Sequence, residues 1–165
     1  MTLYAMLGAL MFCSKIAMEF LPNIHPLGML TMAYTIAFRK KALIPIYIYV
    51  LINGIYAGFA MWWLPYLYLW TILWGITMLL PKNMSKKAAC IVYPVICCIH
   101  GVAFGTLYAP AQALMYGFGL KQTIAWIAAG LYWDMIHGIG NLFMGMLVYP
   151  LSQLLIKLTK RKIVY

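Results

Sequence analysis

Acidic residues are almost absent from this sequence. Of its 165 residues only Glu19 and Asp134 are acidic, against twelve lysines and arginines. Because binding of ATP with magnesium requires several oxygen ligands, this chain cannot build a carboxylate-rich nucleotide site. The phosphate-binding motif G-x-x-x-x-G-K-[ST] is missing as well. Any ATP hydrolysis that drives this protein must therefore take place on another chain.

Signatures of metal binding and catalysis are also missing. The three histidines, at positions 25, 100 and 137, show no H-E-x-x-H spacing. The four cysteines form no C-x-x-C pair and lie in apolar segments, where we expect small buried thiols. We expect no metal and no cofactor. An enzyme would need paired carboxylates, and only Glu19 and Asp134 could pair, if the fold brings them together.

Charged residues of either sign are scarce in total. They make up 8% of the chain, hydrophobic residues make up 66%, and the mean hydropathy is +0.91. A soluble domain of this length could not hide so much apolar surface. The composition predicts an all-α integral membrane protein with a single domain over residues 1–165. Basic residues lie at the ends of apolar segments, which indicates contact with lipid headgroups and argues against nucleic acid.

Six apolar segments are separated by turns that contain proline or basic residues. The predicted helices cover residues 2–20, 27–38, 42–60, 66–80, 88–108 and the region 123–157. No basic region precedes the first segment, so we interpret it as a retained helix and not as a signal peptide. Residues 109–122 are predicted to form a loop with a short helix. Gly130 is the expected break in the last region, which leaves 124–129 as a hairpin arm and 133–157 as the last span.

The basic residues indicate the orientation of these six spans. With a cytoplasmic N-terminus, one side of the membrane receives Arg39, Lys40, Lys41, Lys82, Lys86, Lys87, Lys157, Lys160, Arg161 and Lys162. The other side receives only Lys121, and Lys15 lies within a span. Because basic loops remain in the cytoplasm, we expect both termini inside and a multi-pass location in a bacterial-type plasma membrane.

One polar face stands out in the last segment. Asp134, His137 and Asn141 follow a spacing of i, i+3 and i+7, which places them on one side of a helix. A charged side chain at bilayer depth costs roughly 2.5–3.5 kcal/mol, so it tends to face a cavity or a partner. We predict that this face lines an internal binding site.

Further candidates for this site are polar or aromatic residues in the predicted external loops and the adjoining helices. They are Glu19, Asn23, His25, Asn53, Trp62, Trp63, Tyr66, Trp70, His100 and Trp126. Each has a structural alternative. Asn53 and His100 could hydrogen-bond between helices, the two adjacent tryptophans could form an interfacial belt, and Glu19 could pair with Lys15.

Small residues form a ridge on the first segment. Ala5, Ala9 and Cys13 recur every four residues, which allows close approach of another helix. The ridge could serve packing within the bundle or docking of a partner subunit.

Taken together, six spans with both termini inside and a last helix that reads Gly130-x-x-x-Asp134-x-x-His137-x-x-x-Asn141 resemble the substrate-binding S component of energy-coupling factor (ECF) transporters. The likeness is greatest to S components of queuosine-precursor-type or uncharacterised specificity, and the stretch Ile124-Ala125-Trp126-Ile127-Ala128-Ala129-Gly130 contributes to it. Ala5-x-x-x-Ala9 resembles the motif by which such subunits dock on the transmembrane T component.

The resemblance implies capture of a vitamin or related heterocyclic micronutrient from outside the cell. The loaded subunit would then dock on a T component that carries two ATPase subunits. It also implies that the external loops and the last helices hold the ligand, which supports the candidate residues named above. Aromatic and amide groups with one or two acids suit a neutral or weakly cationic heterocycle.

Three other functions remain open from the sequence. A solitary secondary transporter or small channel could couple protons through Asp134 and His137, although no internal repeat supports it. An intramembrane enzyme lacks its motifs. A purely structural membrane protein would leave the polar face as a hydrogen-bonded bundle core.

Overall fold

The computed structural model describes residues 2–161, with side chains described up to Thr159. Lys162 and the residues after it lie outside this range, as do the side chains of Lys160 and Arg161. The described chain contains no β-strand, which confirms the all-α prediction. Its helices are α1 (Thr2–Ala17), α2 (Leu27–Phe38), α3 (Leu43–Ala57), α4 (Tyr66–Leu79), α5 (Lys86–Val102), α6 (Phe104–Tyr116), α7 (Leu120–Gly145) and α8 (Val148–Arg161).

Helix α2 forms the centre of the bundle. Every residue from Leu27 to Thr35 is buried, because α1, α4, α5, α7 and α8 all pack against this helix. Around it, α1 packs on α3 and α5 packs on α7. The core contains large side chains that are fully buried, among them Trp70, Tyr34 and Tyr49. Helix α2 is apolar on all faces and shows no alternation between an apolar and a polar side, as expected for a helix that is covered on all sides.

Proline, serine and glycine mark several helix ends. Pro45 lies in the first turn of α3, where backbone N–H groups have no acceptor within the helix, so that the N–H which proline lacks is not missed. Gly58 ends the same helix with φ of +88°, a conformation that favours glycine. At the start of α5, the Ser85 hydroxyl accepts a hydrogen bond from the backbone N–H of Ala88.

The end of α2 is formed differently. Arg39 follows Phe38 with φ of 54° and ψ of −122°, and begins a short 3-10 turn over Arg39–Ala42. Such a conformation costs of order 1–3 kcal/mol for a residue with a Cβ, and it persists only where surrounding contacts hold it. The basic triplet Arg39, Lys40 and Lys41, which follows α2, therefore begins with a residue in a strained conformation.

The prediction of a loop with a short helix over residues 109–122 is wrong in extent, since all of these residues except 117–119 are helical. Helix α5 ends at Val102, and after Ala103 the chain continues directly into α6, which extends to Tyr116. Pro110 and the flanking glycines suggested a loop, but the stretch from Ala111 to Met115 consists of good helix formers. The connection to α7 is only three residues long, and it begins at Gly117 in the left-handed conformation.

The expected break at Gly130 is also wrong. Helix α7 runs through Gly130 without interruption to Gly145, and the bend of 48° lies between α7 and α8. Pro150 explains this position, since it lacks an N–H that could bond to the carbonyl of Met146 and is tolerated in the first turn of α8. The region 124–129 is therefore part of a long helix and not a separate hairpin arm.

Membrane-spanning length is reached in only part of the described chain. The nearly continuous stretch Lys86–Tyr116 is long and apolar enough to cross a membrane, and α7 with α8 would form a second span if the bent pair counts as one. Helix α1 is apolar but has 16 residues, fewer than the roughly 20 of a typical span. By length and composition, the helices thus give one candidate span, or two with the bent pair.

Candidate functional site

A cavity of about 400 Å³ opens between α6, α7 and the loop after α1. We call it the aromatic cavity. Its lining residues are Asn23, Phe104, Gly105, Tyr108, Gln112, Trp126, Ile127, Gly130, Trp133 and Asp134. The rings of Tyr108 and Trp126 in its wall are stacked on each other, with centroids 6.0 Å apart. The volume lies within the usual range of small-molecule sites.

Two helical stripes form the walls of the aromatic cavity. Phe104, Tyr108 and Gln112 recur every four residues along α6, and Trp126, Gly130 and Asp134 do so along α7. Gly130 thus contributes an open position on the wall, since no atom lies within 4 Å of where a Cβ would be. The α6 stripe was missed from the sequence. Phe104 and Tyr108 lay in the predicted fifth helix, whose packing partner was unknown, and Gln112 lay in the predicted loop.

Asp134 is held at the inner end of this cavity. Its side chain is 8% exposed, and Oδ1 accepts a hydrogen bond of 3.1 Å from the backbone N–H of Gly105. Gly105 lies in the first turn of α6, where backbone N–H groups lack helical acceptors and the helix dipole favours a negative charge. A Cβ at position 105 would collide with the carboxylate, so glycine permits this approach.

All three histidines of the chain meet directly below the aromatic cavity. The ring of His137 lies 4.9 Å from that of His25 and 5.0 Å from that of Phe104, measured between centroids. His100 lies 5.9 Å from Trp70, and its Nε2 is 3.2 Å from the carbonyl oxygen of Leu69. We call His25, His100, His137, Trp70 and Phe104 the histidine cluster.

Phe104 connects the histidine cluster to the aromatic cavity. The residue lines the cavity, and its ring also packs 6.0 Å from Trp70 and 6.1 Å from His100. Tyr66 packs on the same ring at 6.4 Å. The Phe104 ring therefore separates the open aromatic cavity from the buried polar side chains of the histidine cluster.

Several buried polar atoms in this region have no hydrogen-bond partner among the described residues. They are Nδ1 of His25, Nδ1 of His100, Nε2 of His137, Nε1 of Trp70 and both amide atoms of Asn141. A buried polar atom without a partner costs about 1–3 kcal/mol, so such atoms are rare. Their concentration in one place leaves hydrogen-bonding capacity for a polar molecule.

Asn141 lies one turn beyond His137 on α7 and is 1% exposed. Its amide lies against two glycines, because a Cβ at Gly28 or Gly101 would approach its Nδ2 to 3.2 or 2.9 Å. The buried face of α7 thus includes Asp134, His137 and Asn141, as the sequence spacing predicted.

The rings of His25 and His137 are packed edge to face, and His100 packs edge to face on Phe104. Among residues 2–161, no three His, Cys, Asp or Glu side chains are arranged to hold a metal ion. Burial lowers the pKa of His25, in the loop between α1 and α2, to about 4. This ring is therefore neutral at physiological pH.

The other predicted site residues lie apart from the aromatic cavity. Glu19 forms an ion pair of 2.8 Å with Lys15 and is 52% exposed, so the structural alternative holds for it. Since Asp134 is buried against Gly105, the two acids have separate partners. Asn53 is buried in α3, and its Oδ1 has no partner among the described residues.

The aromatic turn Met61–Trp63 supports the site from the side. Nε1 of Trp63 donates a hydrogen bond of 2.8 Å to the carbonyl of Val50. The carbonyl of Trp62 accepts a hydrogen bond of 2.9 Å from the hydroxyl of Tyr108. These tryptophans fix α3 and α6 to the turn, and neither lines the aromatic cavity.

Comparison with known proteins gives no further information, since no family model, no curated protein and no solved structure matches this chain.

Proposed function

We propose that this chain is the substrate-binding S component of an ATP-driven ECF-type importer. The observation that carries the proposal is the aromatic cavity, with the single buried carboxylate of the described chain at its inner end and unpartnered polar atoms below it. An open aromatic cavity above a buried polar region is an arrangement that suits the capture of a small molecule.

Six membrane spans can be assigned to the eight helices. Helices α1 to α4 would each be one span, α5 with α6 would be the fifth, and the bent pair of α7 and α8 would be the sixth. The short helix α2 needs little contact with lipid, because it is surrounded by protein. The ten-to-one distribution of basic residues favours a cytoplasmic N-terminus, in a bacterial-type plasma membrane. The aromatic cavity would then open outside.

The chemistry of the aromatic cavity favours a flat heterocycle that is neutral or weakly cationic. Four of its lining side chains are aromatic, namely Phe104, Tyr108, Trp126 and Trp133. Aromatic faces stack on flat rings and attract cations. Among the described residues that line it, Asp134 has the only charge. A vitamin or a related micronutrient of this kind is the proposed cargo.

Helix α1 offers a surface for the T component. Its inward face consists of Leu7, Gly8 and Met11, whereas Ala5, Ala9 and Cys13 are exposed. Since the small-residue ridge is not used for packing within the bundle, it is free for close approach of a partner helix. Docking there, followed by ATP hydrolysis on two ATPase subunits, would topple the loaded subunit and release the ligand inside.

The first experiment is mass spectrometry of small molecules that are released from the gently purified chain, expressed alone in a bacterial host. A heterocycle at one copy per chain would support the capture role and identify the ligand. A second preparation, from cells that also carry ECF ATPase subunits, tests partner capture. A chain that releases no small molecule and captures no ATPase would contradict the proposal, and uptake without ATPase subunits would favour a solitary transporter.

The docking surface is tested by Ala9→Trp. We expect the bulky side chain to prevent complex formation with the T component while ligand affinity is unchanged, because Ala9 faces away from the bundle. Leu114→Trp is the matched control, since Leu114 is an exposed apolar residue on α6. Normal complex formation by the Ala9 variant would show that the ridge does not dock.

A further inference from the structure

A second cavity, of about 220 Å³, lies where α2 and α4 end and α5 begins. We call it the basic crevice. Its lining residues are Ile36, Arg39, Thr77, Leu80, Pro81, Lys82 and Tyr93. Two cations and two hydroxyl-bearing side chains thus surround one small space that neither the sequence motifs nor the proposed transport function explains.

We propose that the basic crevice binds an anionic phosphate ester. Arg39 and Lys82 supply positive charge, and a guanidinium matches two phosphate oxygens at once. Tyr93 is 5% exposed and presents a hydroxyl-bearing side chain in its wall, whereas the Thr77 hydroxyl already donates to the carbonyl of Leu73. The proposal does not depend on which substrate the aromatic cavity takes.

Neither acidic side chain of the protein can neutralise these cations. Tyr4 in the first turns of α1 packs 5.6 Å from Phe38, which precedes Arg39. Glu19 lies beyond the other end of this 16-residue helix, about 24 Å away at 1.5 Å per residue. Asp134 bonds to Gly105, past the far end of α5, whose first residue is Lys86. An anion for the basic crevice must therefore come from outside the described chain.

The position of Arg39 is fixed on both sides. Its carbonyl accepts a hydrogen bond of 3.2 Å from Nε1 of Trp74, and its Nη2 donates one of 2.9 Å to the carbonyl of Met78. A guanidinium has five N–H donors, so most remain for a ligand. The strained φ of 54° shows that the fold holds this arginine against its backbone preference.

Helix capping explains only part of this charge. The carboxyl end of α4 favours a cation, and Arg39 serves it through Met78. Besides Arg39, five basic side chains lie in the 3-10 turn, in the turn after α4 and in the first turn of α5. They are Lys40, Lys41, Lys82, Lys86 and Lys87. The proposed orientation accounts for an excess of basic residues on this side, but not for the convergence of Arg39 and Lys82 on one cavity, and this convergence favours a bound anion.

The phosphate ester has two sources. Anionic lipid headgroups lie at the level of basic turns in the proposed orientation, and basic pockets between helices bind such headgroups. A soluble phosphate ester has the same chemistry. The experiment separates the two sources by using phosphatidylglycerol as one probe and glycerol phosphate as the other.

The test is native mass spectrometry of the full chain in a neutral detergent. Equal amounts of phosphatidylglycerol and phosphatidylcholine with the same acyl chains are added, and in a second arm glycerol phosphate is added alone. We expect one anionic adduct per chain, and we expect Lys82→Gln to reduce its occupancy at least fivefold. Lys121→Gln, an exposed lysine outside the basic crevice, is the control and should change nothing.

The outcomes distinguish the sources and the alternatives. Loss of the phosphatidylglycerol adduct in Lys82→Gln supports a lipid site, and loss of a glycerol phosphate adduct supports a soluble ligand. Arg39→Gln should act in the same direction, but it also removes the cap on Met78, so Lys82→Gln is decisive. Equal adducts in Lys82→Gln and Lys121→Gln, or no adduct with either probe, would overturn the proposal.

Discussion

The aromatic cavity and the basic crevice differ in almost every property that selects a ligand. The first, of about 400 Å³, combines four aromatic rings with one carboxylate, and the described residues that line it include no lysine or arginine. The second, of about 220 Å³, combines an arginine and a lysine, with no acid among the described residues that line it. Charges of opposite sign are thus separated along the length of the helices.

The two cavities also differ in how their polar groups are held. Arg39 at the basic crevice is bonded to the backbone and to Trp74, so its geometry is set by the fold alone. Below the aromatic cavity, polar atoms of the histidine cluster lack partners in the described chain. A ligand at the basic crevice would therefore meet side chains already held by the protein, whereas the unpartnered atoms below the aromatic cavity become available to a ligand only if the Phe104 ring moves.

The largest effect is expected from Asp134→Asn. The substitution removes the one charge of the aromatic cavity and weakens the hydrogen bond to the Gly105 N–H. A hydrogen bond from the ligand to a charged carboxylate contributes about 1.5–3 kcal/mol. Loss of the charge should therefore lower ligand affinity more than tenfold while the protein still inserts. Titration of the released and re-added ligand by intrinsic tryptophan fluorescence measures the change.

Glu19→Gln is the matched control for this prediction, because these two residues are the only acids in the chain. Glu19 is in an exposed ion pair with Lys15, and such pairs contribute about 0–1 kcal/mol. Its removal should leave ligand affinity unchanged. Equal affinity in both variants would show that the charge of Asp134 does not select the ligand.

A smaller effect is expected from His137→Ala. Its Nε2 is buried below Phe104 and has no partner in the described chain, so a ligand that displaces the Phe104 ring gains one neutral hydrogen bond there. We expect about a tenfold loss of affinity. His100→Ala removes an unpartnered Nδ1 and also the bond to Leu69 within the protein, so the melting temperature should fall together with affinity. Unchanged affinity in both variants would show that the unpartnered atoms do not mark the site.

Sequence patterns predicted those parts of the fold that local chemistry determines. Helix α2 has the predicted bounds, and α3 and α4 agree to within a few residues, because prolines and basic turns mark their ends. The shared face of Asp134, His137 and Asn141 followed from helical spacing alone. Gly130 and Pro110 led to wrong predictions of a helix break and a loop, because each residue is tolerated in a helix whose surroundings support it.

The composition of the site depended on packing between helices, which no local pattern records. The carboxylate of Asp134 meets Gly105 only because α6 lies against α7, and the sequence does not state that pairing. Phe104 and Tyr108 were missed for the same reason. For Glu19 the spacing of four to Lys15 fitted both interpretations, and the structure shows the ion pair.

The smallest expected effect is on the pH dependence of stability, and it should differ between variants near the aromatic cavity and variants at the basic crevice. Burial lowers the pKa of His25 to about 4, below its ordinary value near 6.5. Between these values the unfolded chain binds a proton that the folded chain does not, so stability is complete above pH 6.5 and declines toward pH 4. The rings of His100 and His137 lie nearby and remain in the variant that tests this.

We expect the melting temperature of the native protein to fall by a few degrees more than that of His25→Gln over this range. Lys82 lies at the basic crevice, away from His25, so Lys82→Gln should follow the native curve. Parallel curves for the native protein and His25→Gln would show that His25 is not buried as a neutral ring.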